Sequence, residues 1–486
     1  MDNSISCMKE ECGICGASLK KNSEIEIYKM LVQMQHRGQL SAGITTFQPN
    51  ENLILKTHKK IGLVNTVFCA EHNAKFNSIM KKLESRKGIG HVRYATCGGD
   101  DETYAQPFEH LHGKKNRWFS LAFNGNIANY EKIKKELEKQ NYHLMRKTDT
   151  EAILLLIAKE LKDNKTIPDA LKKISEKLDG AYNLAIINAE GTLVAARDPL
   201  GIKPLCYAIK EGEVAFASES VALESIGFEN PIDIKAGEAL VIEKDSYNLI
   251  QYTESKKRAH CFFEWVYFSH PASTIEEKLV YDVRYNLGKE LAKGETELVD
   301  ENTIVVSVPD SSTPAGHGFS EAINAPFLEG LIRNRYIGRT FIQSTNRGEK
   351  VKEKFMIINK IFEGKKVFLI EDSIVRGTTL KNIVNYINKY GKPKEIHVRV
   401  SCPKIISPCY YGIDMSTRRE LIGANKSEEE IAKIIGATSV RYQKIEGLIN
   451  AIGLNKDDLC LACINGKYPT KWGEKNSLED KKVCML

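Results

Sequence analysis

Two styles of hydrophobic patterning succeed one another along the chain. In the first half, short apolar or alternating runs are set off by turn residues: "GIGHVRYAT", "SLAFNGN", "NLAIINAEGTLVAARDP" and "EVAFASES". Such runs predict strands, and the third predicts a hairpin turning at Glu190 and Gly191. Helical periodicity intervenes in "NYEKIKKELEKQ" and "DTEAILLLIAKELKD", with Asp149 placed to cap the latter. This is the pattern of a sheet-rich α/β or α+β unit. The charged segment "TESKKRAH", Thr253 to His260, then breaks it. Beyond that point, strands of the fully buried type, "NTIVVSVPD", "KKVFLIED" and "EIHVRVSCP", alternate with helical segments, as in a parallel doubly wound sheet. From Glu420 onward the chain reads as mostly helical, with a Lys-rich end and no repeat or low-complexity tract.

Composition narrows the class. At 486 residues the chain is too long for one core and implies at least two domains. Apolar residues at 42% and charged residues at 27% suit a globular enzyme. A net charge of +7, dispersed along the chain, does not predict a nucleic-acid groove, and a basic cluster such as "RNRYIGR" suits a phosphorylated small molecule equally well. No run of about 18 uncharged apolar residues exists, and "MDNSISCMKEE" lacks a basic start followed by an apolar stretch. The expectation is a cytoplasmic protein with neither membrane span nor export. Twelve cysteines in such a chain read as reduced thiols, nucleophiles or metal ligands rather than a disulfide framework.

The second half holds a phosphate cradle. In "KKVFLIEDSIVRGTTLKNI" an apolar strand ends in Glu371 and Asp372, and a Ser/Arg/Gly/Thr/Thr loop leads into a helix. At the carboxyl end of a strand in an open α/β sheet, backbone N–H groups and a helix N-terminus attract anions. Gly377 lets the backbone approach a phosphate, Ser373, Thr378 and Thr379 add hydroxyls, Arg376 adds a cation, and the carboxylates suit sugar hydroxyls and Mg²⁺. The alternative is a capped helix behind an incidental acidic pair. The string "EDSIVRGTT" resembles the phosphoribosylpyrophosphate (PRPP) loop of type I phosphoribosyltransferases, with Glu371 standing where the family usually has Asp. "VVSVPDSSTPAGHGFSEA" resembles that family's pyrophosphate-side loop, which implies Ser311 as a metal contact beside Glu371 and Asp372. "LIRNRYIGRTFIQ" resembles its closing segment, which implies Arg333, Arg335 and Arg339 as phosphate ligands.

In the first half, "HRGQLSAG", "GHVRYATCG", "FNGNIANY" and "RKTDTEA" follow "CGICGA" in order. Together they resemble the glutamine amidotransferase domain of the N-terminal-nucleophile (Ntn) hydrolases. The resemblance implies Cys12 as nucleophile, Arg93 and Asp149 as ligands of the two charged ends of glutamine, and Asn124 with the N–H of Gly125 as oxyanion hole. Leu40 departs from the acidic residue usual there and receives no role. His36 and His91 read as buried, hydrogen-bonded residues. The superfamily's base is the nucleophile's own α-amino group, which requires a free N-terminus at Cys12. A propeptide, residues 1–11, cleaved between Glu11 and Cys12, meets that demand. Cys15 reads as a small packing residue, against a competing reading of "CGIC" as a redox or metal motif.

"DLCLACINGKYP" adds Cys460 and Cys463, "HCFFEWVYFSHP" Cys261, and "SPCYYGIDMSTRRELI" Cys409. Four thiolates suit zinc and iron–sulfur equally, and Cys402 lies close enough in sequence to Cys409 to compete for its place. The four positions resemble the ligands of a [4Fe–4S] cluster in the iron–sulfur-containing branch of glutamine–PRPP amidotransferases, a resemblance that spans the chain from "EECG" to "GKYPT".

What that family implies is an α+β Ntn domain (αββα sandwich), followed by an α/β type I phosphoribosyltransferase domain with C-terminal helices. The chain divides as propeptide 1–11, amidotransferase domain 12–245 and phosphoribosyltransferase domain 246–486. It further implies glutamine and PRPP as substrates, formation of 5-phosphoribosylamine as the first committed step of purine synthesis, Mg²⁺, purine nucleotides as feedback inhibitors, and a homo-oligomer, a tetramer. The rival reading is a non-enzymatic paralogue that binds PRPP or nucleotides as a regulator, for which Glu371 is the argument.

Overall fold

The computed structural model describes residues 12–94, 101–162, 165–244, 246–334, 355–415 and 417–485. The expectations for residues 1–11, Arg335 and Arg339 lie outside them.

The amino-terminal half is two antiparallel sheets packed face to face. One contains β1 (Cys12–Ser18), β2 (Ser41–Phe47), β3 (Leu55–Ile61), β4 (Lys87–Arg93), β9 (Cys206–Lys210), β10 (Glu213–Ala217) and β11 (Ile232–Asp233), in the order β11-β9-β10-β1-β4-β2-β3. The other contains β5 (Phe108–His110), β6 (Phe119–Ile127), β7 (Gly180–Asn188), β8 (Leu193–Ala196), β12 (Glu238–Glu243) and β13 (Ser246–Gln251), in the order β13-β12-β8-β7-β6-β5. Successive side chains of a strand point to opposite faces. In β1, Ile14 enters the inter-sheet core with Ala122, Ile187 and Phe216, while Cys15 and Ala17 face outward against Ile27 and Leu31 of helix Ser23–Gln33. In β6, Ala122 faces the same inner core, whereas Phe119, Leu121, Phe123 and Ile127 face helices Asp149–Glu160 and Ile167–Ser175. Helices thus cover both outer faces, giving αββα layering, and strands such as β6 and β7 are buried along their whole length. Each large aliphatic side chain so enclosed contributes about 1.5–3 kcal/mol.

The Glu190–Gly191 hairpin is the β7–β8 connection. The helix-cap expectation is corrected: Thr148 is the N-cap, its hydroxyl accepting the Glu151 N–H at 3.2 Å, and Asp149 is the first helical residue. The domain boundary at 245/246 is also displaced. Strand β13, Ser246–Gln251, pairs along its length with β12, so the first domain runs through it and the crossing falls in the charged segment that follows. The strand is an edge, largely solvent-facing, and its few apolar residues, Tyr247, Leu249 and Ile250, sit among polar ones directly before the charged segment, so it is easily taken as part of the linker.

The second half is a four-stranded parallel sheet in the order Thr303–Ser307, Lys366–Glu371, Glu395–Val400, Ser439–Tyr442. Val305, Phe368 and Ile370 pack under Ala315 and Phe319 of helix Thr313–Ile323. On the other face, Val367, Leu369 and Val398 pack under Ile383, Val384 and Ile387 of helix Thr378–Gly391. The fourth strand lies in the tail that reads as helical. "SVRY" is too short and too mixed for periodicity to reveal it, and only pairing with Glu395–Val400 defines it. Among the described residues no helix is long and apolar enough to cross a membrane.

Candidate active sites

The first site sits where the two sheets of the amino-terminal half meet. Cys12, at the start of β1, is register partner to Arg93 on β4, so both project to the inner face. Asn124 and Asn126 project inward from β6 on the facing sheet, and Cys12, Arg93 and Asn124 are all fully or almost fully buried. The Asn124 carboxamide has only a long bond, Nδ2 donating to Ser218 Oγ at 3.4 Å, and its Oδ1 is buried without a partner. The Nδ2 group carries two N–H donors and makes only this one long side-chain bond, so it can serve as a donor at this point. Ser218 also accepts the Ile14 N–H at 3.0 Å, tying β1 to β6. Gly125 has φ 156°, and a Cβ there would collide with the Ala181 carbonyl, so glycine is required beside Asn124. Asp149 closes the far side: its Oδ2 accepts the Ile127 N–H at 3.3 Å, which places the carboxylate at the end of β6. Arg93 lies over the Tyr104 ring at 5.4 Å.

The two thiols of "CGIC" part company here. Three residues apart on a strand, Cys12 and Cys15 face opposite sides of the sheet, and burial pushes the Cys15 thiol well up, which makes it inert packing. His91 is fully buried, with Nε2 3.1 Å from the Phe123 carbonyl, and burial holds it at about 3, so the ring is neutral. His36 differs from expectation: it is only partly buried, with Nε2 2.7 Å from Glu219 Oε1.

Glu219 belongs to a buried charge cluster that sequence reasoning missed. Arg37 donates from Nε to the Cys12 carbonyl at 3.1 Å, from Nη1 to Glu219 at 2.7 Å, and from Nη1 and Nη2 to Glu264 at 3.0 Å each. Lys203 donates to Glu264 at 3.2 Å. Burial alone would raise the Glu264 carboxyl, but Arg37 and Lys203 outweigh it and hold it at about 2. Glu264 comes from the segment that follows the first domain, so this cluster joins the two halves directly beneath Cys12. Nothing local marks its members; each is an ordinary charged residue until the fold brings four together.

The second site lies at the carboxyl end of strand Lys366–Glu371. Asp372 accepts from Ser311 Oγ at 2.5 Å and from Ser373 Oγ at 2.6 Å, and its N–H donates to Glu371 Oε1 at 3.1 Å. Burial raises both carboxyls; for Glu371 the neighbouring Asp372 charge adds to it, and for Asp372 the two serines oppose it. Gly377, with φ 76°, turns the chain into helix Thr378–Gly391, whose first residues are Thr378 and Thr379. Arg333 donates to Asp310 at 2.7 Å, which sets it beside the Ser311 loop. Arg376 instead points away from the cradle, its Nε donating to Glu420 at 2.6 Å.

The cysteines of the second half form a group of their own. Cys261 and Cys460 are register partners in a short parallel pair, and the Cys463 carbonyl accepts the N–H groups of Ile406 at 2.8 Å and Ser407 at 3.0 Å. Burial pushes Cys261 up to about 12 and raises Cys460 and Cys463 as well, with neighbouring cysteines, Cys409 among them, adding to each shift. The Cys402 thiol is raised as well, by burial first and then by the Asp372 and Cys261 charges. Among the described residues no three His, Cys, Asp or Glu side chains come close enough to share a single metal ion.

Comparison with known proteins bears on both sites. The pattern of the glutamine amidotransferase domain family matches residues 91–225. The chain is 42% identical, over 95% of its length and 95% of the relative's, to an amidophosphoribosyltransferase of Methanothermobacter thermautotrophicus. The chain belongs to the amidophosphoribosyltransferase family. A Bacillus subtilis member is 37% identical over 99% of this chain and 98% of its own. The solved structure of a glutamine PRPP amidotransferase from B. subtilis, complexed with ADP and GMP, superposes with a TM-score of 0.85 at 35% identity, covering 95% of this chain and 98% of that one. A second structure, described as the allosteric regulatory enzyme of purine biosynthesis, gives 0.86 at 36% identity, covering 95% and 96%. The two halves are accordingly an Ntn glutamine amidotransferase domain and a type I phosphoribosyltransferase domain. The activity is glutamine-dependent formation of 5-phosphoribosylamine from PRPP in purine biosynthesis. The reading as a non-enzymatic regulator is thereby set aside.

Proposed function

We propose that the amino-terminal site releases ammonia from glutamine and that the carboxyl-terminal site adds it to PRPP. The observation that supports this most is that Cys12 and Arg93 stand opposite each other on a face shared with Asn124. Cys12 passes its thiol proton to its own α-amino group, whose ordinary pKa of about 7.7–8.0 suits that task. The thiolate attacks the amide carbon, and the oxyanion is held by Asn124 and the Gly125 N–H. Ammonia leaves, and water hydrolyses the thioester to glutamate. Arg93 and Asp149 hold the carboxylate and ammonium ends of glutamine.

The chemistry requires a free amine at Cys12, so residues 1–11 are a propeptide removed at the Glu11–Cys12 bond. Intact mass of active protein is expected to correspond to a chain beginning at Cys12. Full activity with residues 1–11 retained would defeat the α-amino mechanism. Replacing Asn124 with Ala removes one oxyanion donor and is expected to lower glutaminase turnover about 10²–10³-fold. An unchanged turnover would reassign the oxyanion hole.

At the second site, Ser311, Glu371 and Asp372 are the residues that would hold Mg²⁺: a buried, mutually repelling acidic pair with a hydroxyl beside it fits a divalent cation. When bound, Mg²⁺ neutralises pyrophosphate charge as that group leaves C1 of the sugar. Ser373, Gly377, Thr378 and Thr379 receive the 5-phosphate, and Arg333 and Arg335 the pyrophosphate. Arg376 joins them only by leaving Glu420. The four buried thiols Cys261, Cys409, Cys460 and Cys463 fit a [4Fe–4S] cluster, whose irons are ligated separately and need no common point for all donors. When bound, such a cluster would cross-link segments far apart in the chain, through Cys261, Cys409 and the Cys460–Cys463 pair. Purine nucleotides act as feedback inhibitors on a cytoplasmic tetramer, in keeping with the ADP and GMP of the B. subtilis complex.

A further inference from the structure

We propose that Asn126 is a positioning residue that sets the oxyanion strand from the loop carrying Cys409. The proposal rests on the oxyanion reading of Asn124 and Gly125 given above. Asn126 lies one residue beyond Gly125, faces the same side of β6 as Asn124, and is 3% exposed. Its Nδ2 reaches across 284 positions of sequence to donate to the Tyr410 carbonyl at 2.8 Å. Tyr410 follows Cys409 directly, and its loop is itself pinned: Tyr468 Oη donates to the Pro408 carbonyl at 2.6 Å, and Tyr411 Oη lies 3.0 Å from Thr470 Oγ1. A buried donor that loses its acceptor is costly, so this bond holds the backbone of β6 to a fixed point in the second domain.

The placement gives the bond a catalytic consequence. On one side of Asn126 are the two oxyanion donors; on the other the Ile127 N–H contacts Asp149 at 3.3 Å. Ala128 is held in turn, its carbonyl accepting from Asn476 Nδ2 at 2.9 Å in the terminal helix. Transition-state donors act only when aimed at the position the oxyanion will occupy, and small displacements cost rate steeply. The bond to Tyr410 ties the residue next to those donors to the second domain, so releasing it affects oxyanion stabilisation before it affects nucleophilicity or the PRPP site.

The test uses the full-length processed enzyme. Asn126→Leu removes the donor, and Asn126→Asp, nearly isosteric, sets a carboxylate against the Tyr410 carbonyl. Both are expected to lower kcat for glutamine hydrolysis about tenfold or more, Asp the more strongly, while KM for glutamine changes less than about threefold. Alkylation of Cys12 by iodoacetamide forms no oxyanion and is expected to keep its rate, as is synthesis from ammonia. Unchanged hydrolysis in both variants overturns the proposal, and so does a parallel loss of hydrolysis and alkylation, which would make the role merely structural. Asn124→Ala, measured alongside, separates the two readings. If it leaves hydrolysis intact, the oxyanion assignment has failed; if it lowers hydrolysis and the Asn126 variants do not, the present proposal alone has failed.

Discussion

Replacing Cys12 with alanine is expected to lower glutamine-dependent synthesis of phosphoribosylamine by about 10³-fold or more, while synthesis from ammonia is expected to survive. The reason is the separation of the two sites. Cys12 is buried on the inner face of β1, opposite Arg93, whereas the cradle at Glu371 to Thr379 belongs to another sheet. Removing the sulfur deletes the acyl acceptor and leaves the second site its own geometry. Cys15 is no substitute, because it faces the other side of the strand and burial keeps its thiol protonated. Glutamate release and phosphoribosylamine formation, measured from glutamine and from an ammonium salt at alkaline pH, check this. Residual glutamine-dependent turnover within tenfold of the parent would reject Cys12 as nucleophile.

A second large effect is expected at the junction of the halves. Glu264→Gln is expected to destabilise the protein by about 3–5 kcal/mol, the range for breaking a buried pair while leaving its partners charged. The amide keeps one acceptor oxygen but sets an NH₂ group against a guanidinium N–H, so Arg37 loses one of its two bonds to this side chain, and both Arg37 and Lys203, 3.2 Å away, lose the negative charge. The pH dependence follows in sign. The folded carboxyl sits at about 2 against an ordinary 4.5, so its contribution is fully present above pH 4.5 and is lost as pH falls towards 2. The variant lacks that contribution at every pH, so its stability falls less steeply with acidification over this window. Thermal unfolding from pH 7 down to pH 3 would reveal it; equal slopes and equal midpoints at pH 7 would show the cluster to be inconsequential. Because Arg37 also holds the Cys12 carbonyl at 3.1 Å, glutaminase activity is expected to fall with stability.

Legibility in the sequence tracked the range of the interaction. The run from Lys366 through Thr379 was readable because strand, acidic pair, glycine turn and helix start are contiguous, each shaping its neighbour through backbone geometry. The outward-facing Cys15 and Ala17 against the inward Ile14 likewise follow from a period of two. Thr148 displaced Asp149 as the helix cap because capping depends on which residue takes the extended conformation, a difference of one position that composition does not resolve. Arg376 carried the right charge in the right loop, yet it points to Glu420, 44 positions away.

The sequence alone determined the two-domain plan, the family, and the strings from which both sites are built, since these rest on local patterns. Tertiary structure decided the rest. It carried the first domain through β13, added the parallel strand Ser439–Tyr442, and gathered Arg37, Lys203, Glu219 and Glu264 under Cys12. It also set Asn126 against Tyr410. Edge pairing, buried ion pairs and cross-domain hydrogen bonds are long-range, and their energy exists only once folding has removed water and brought distant segments together.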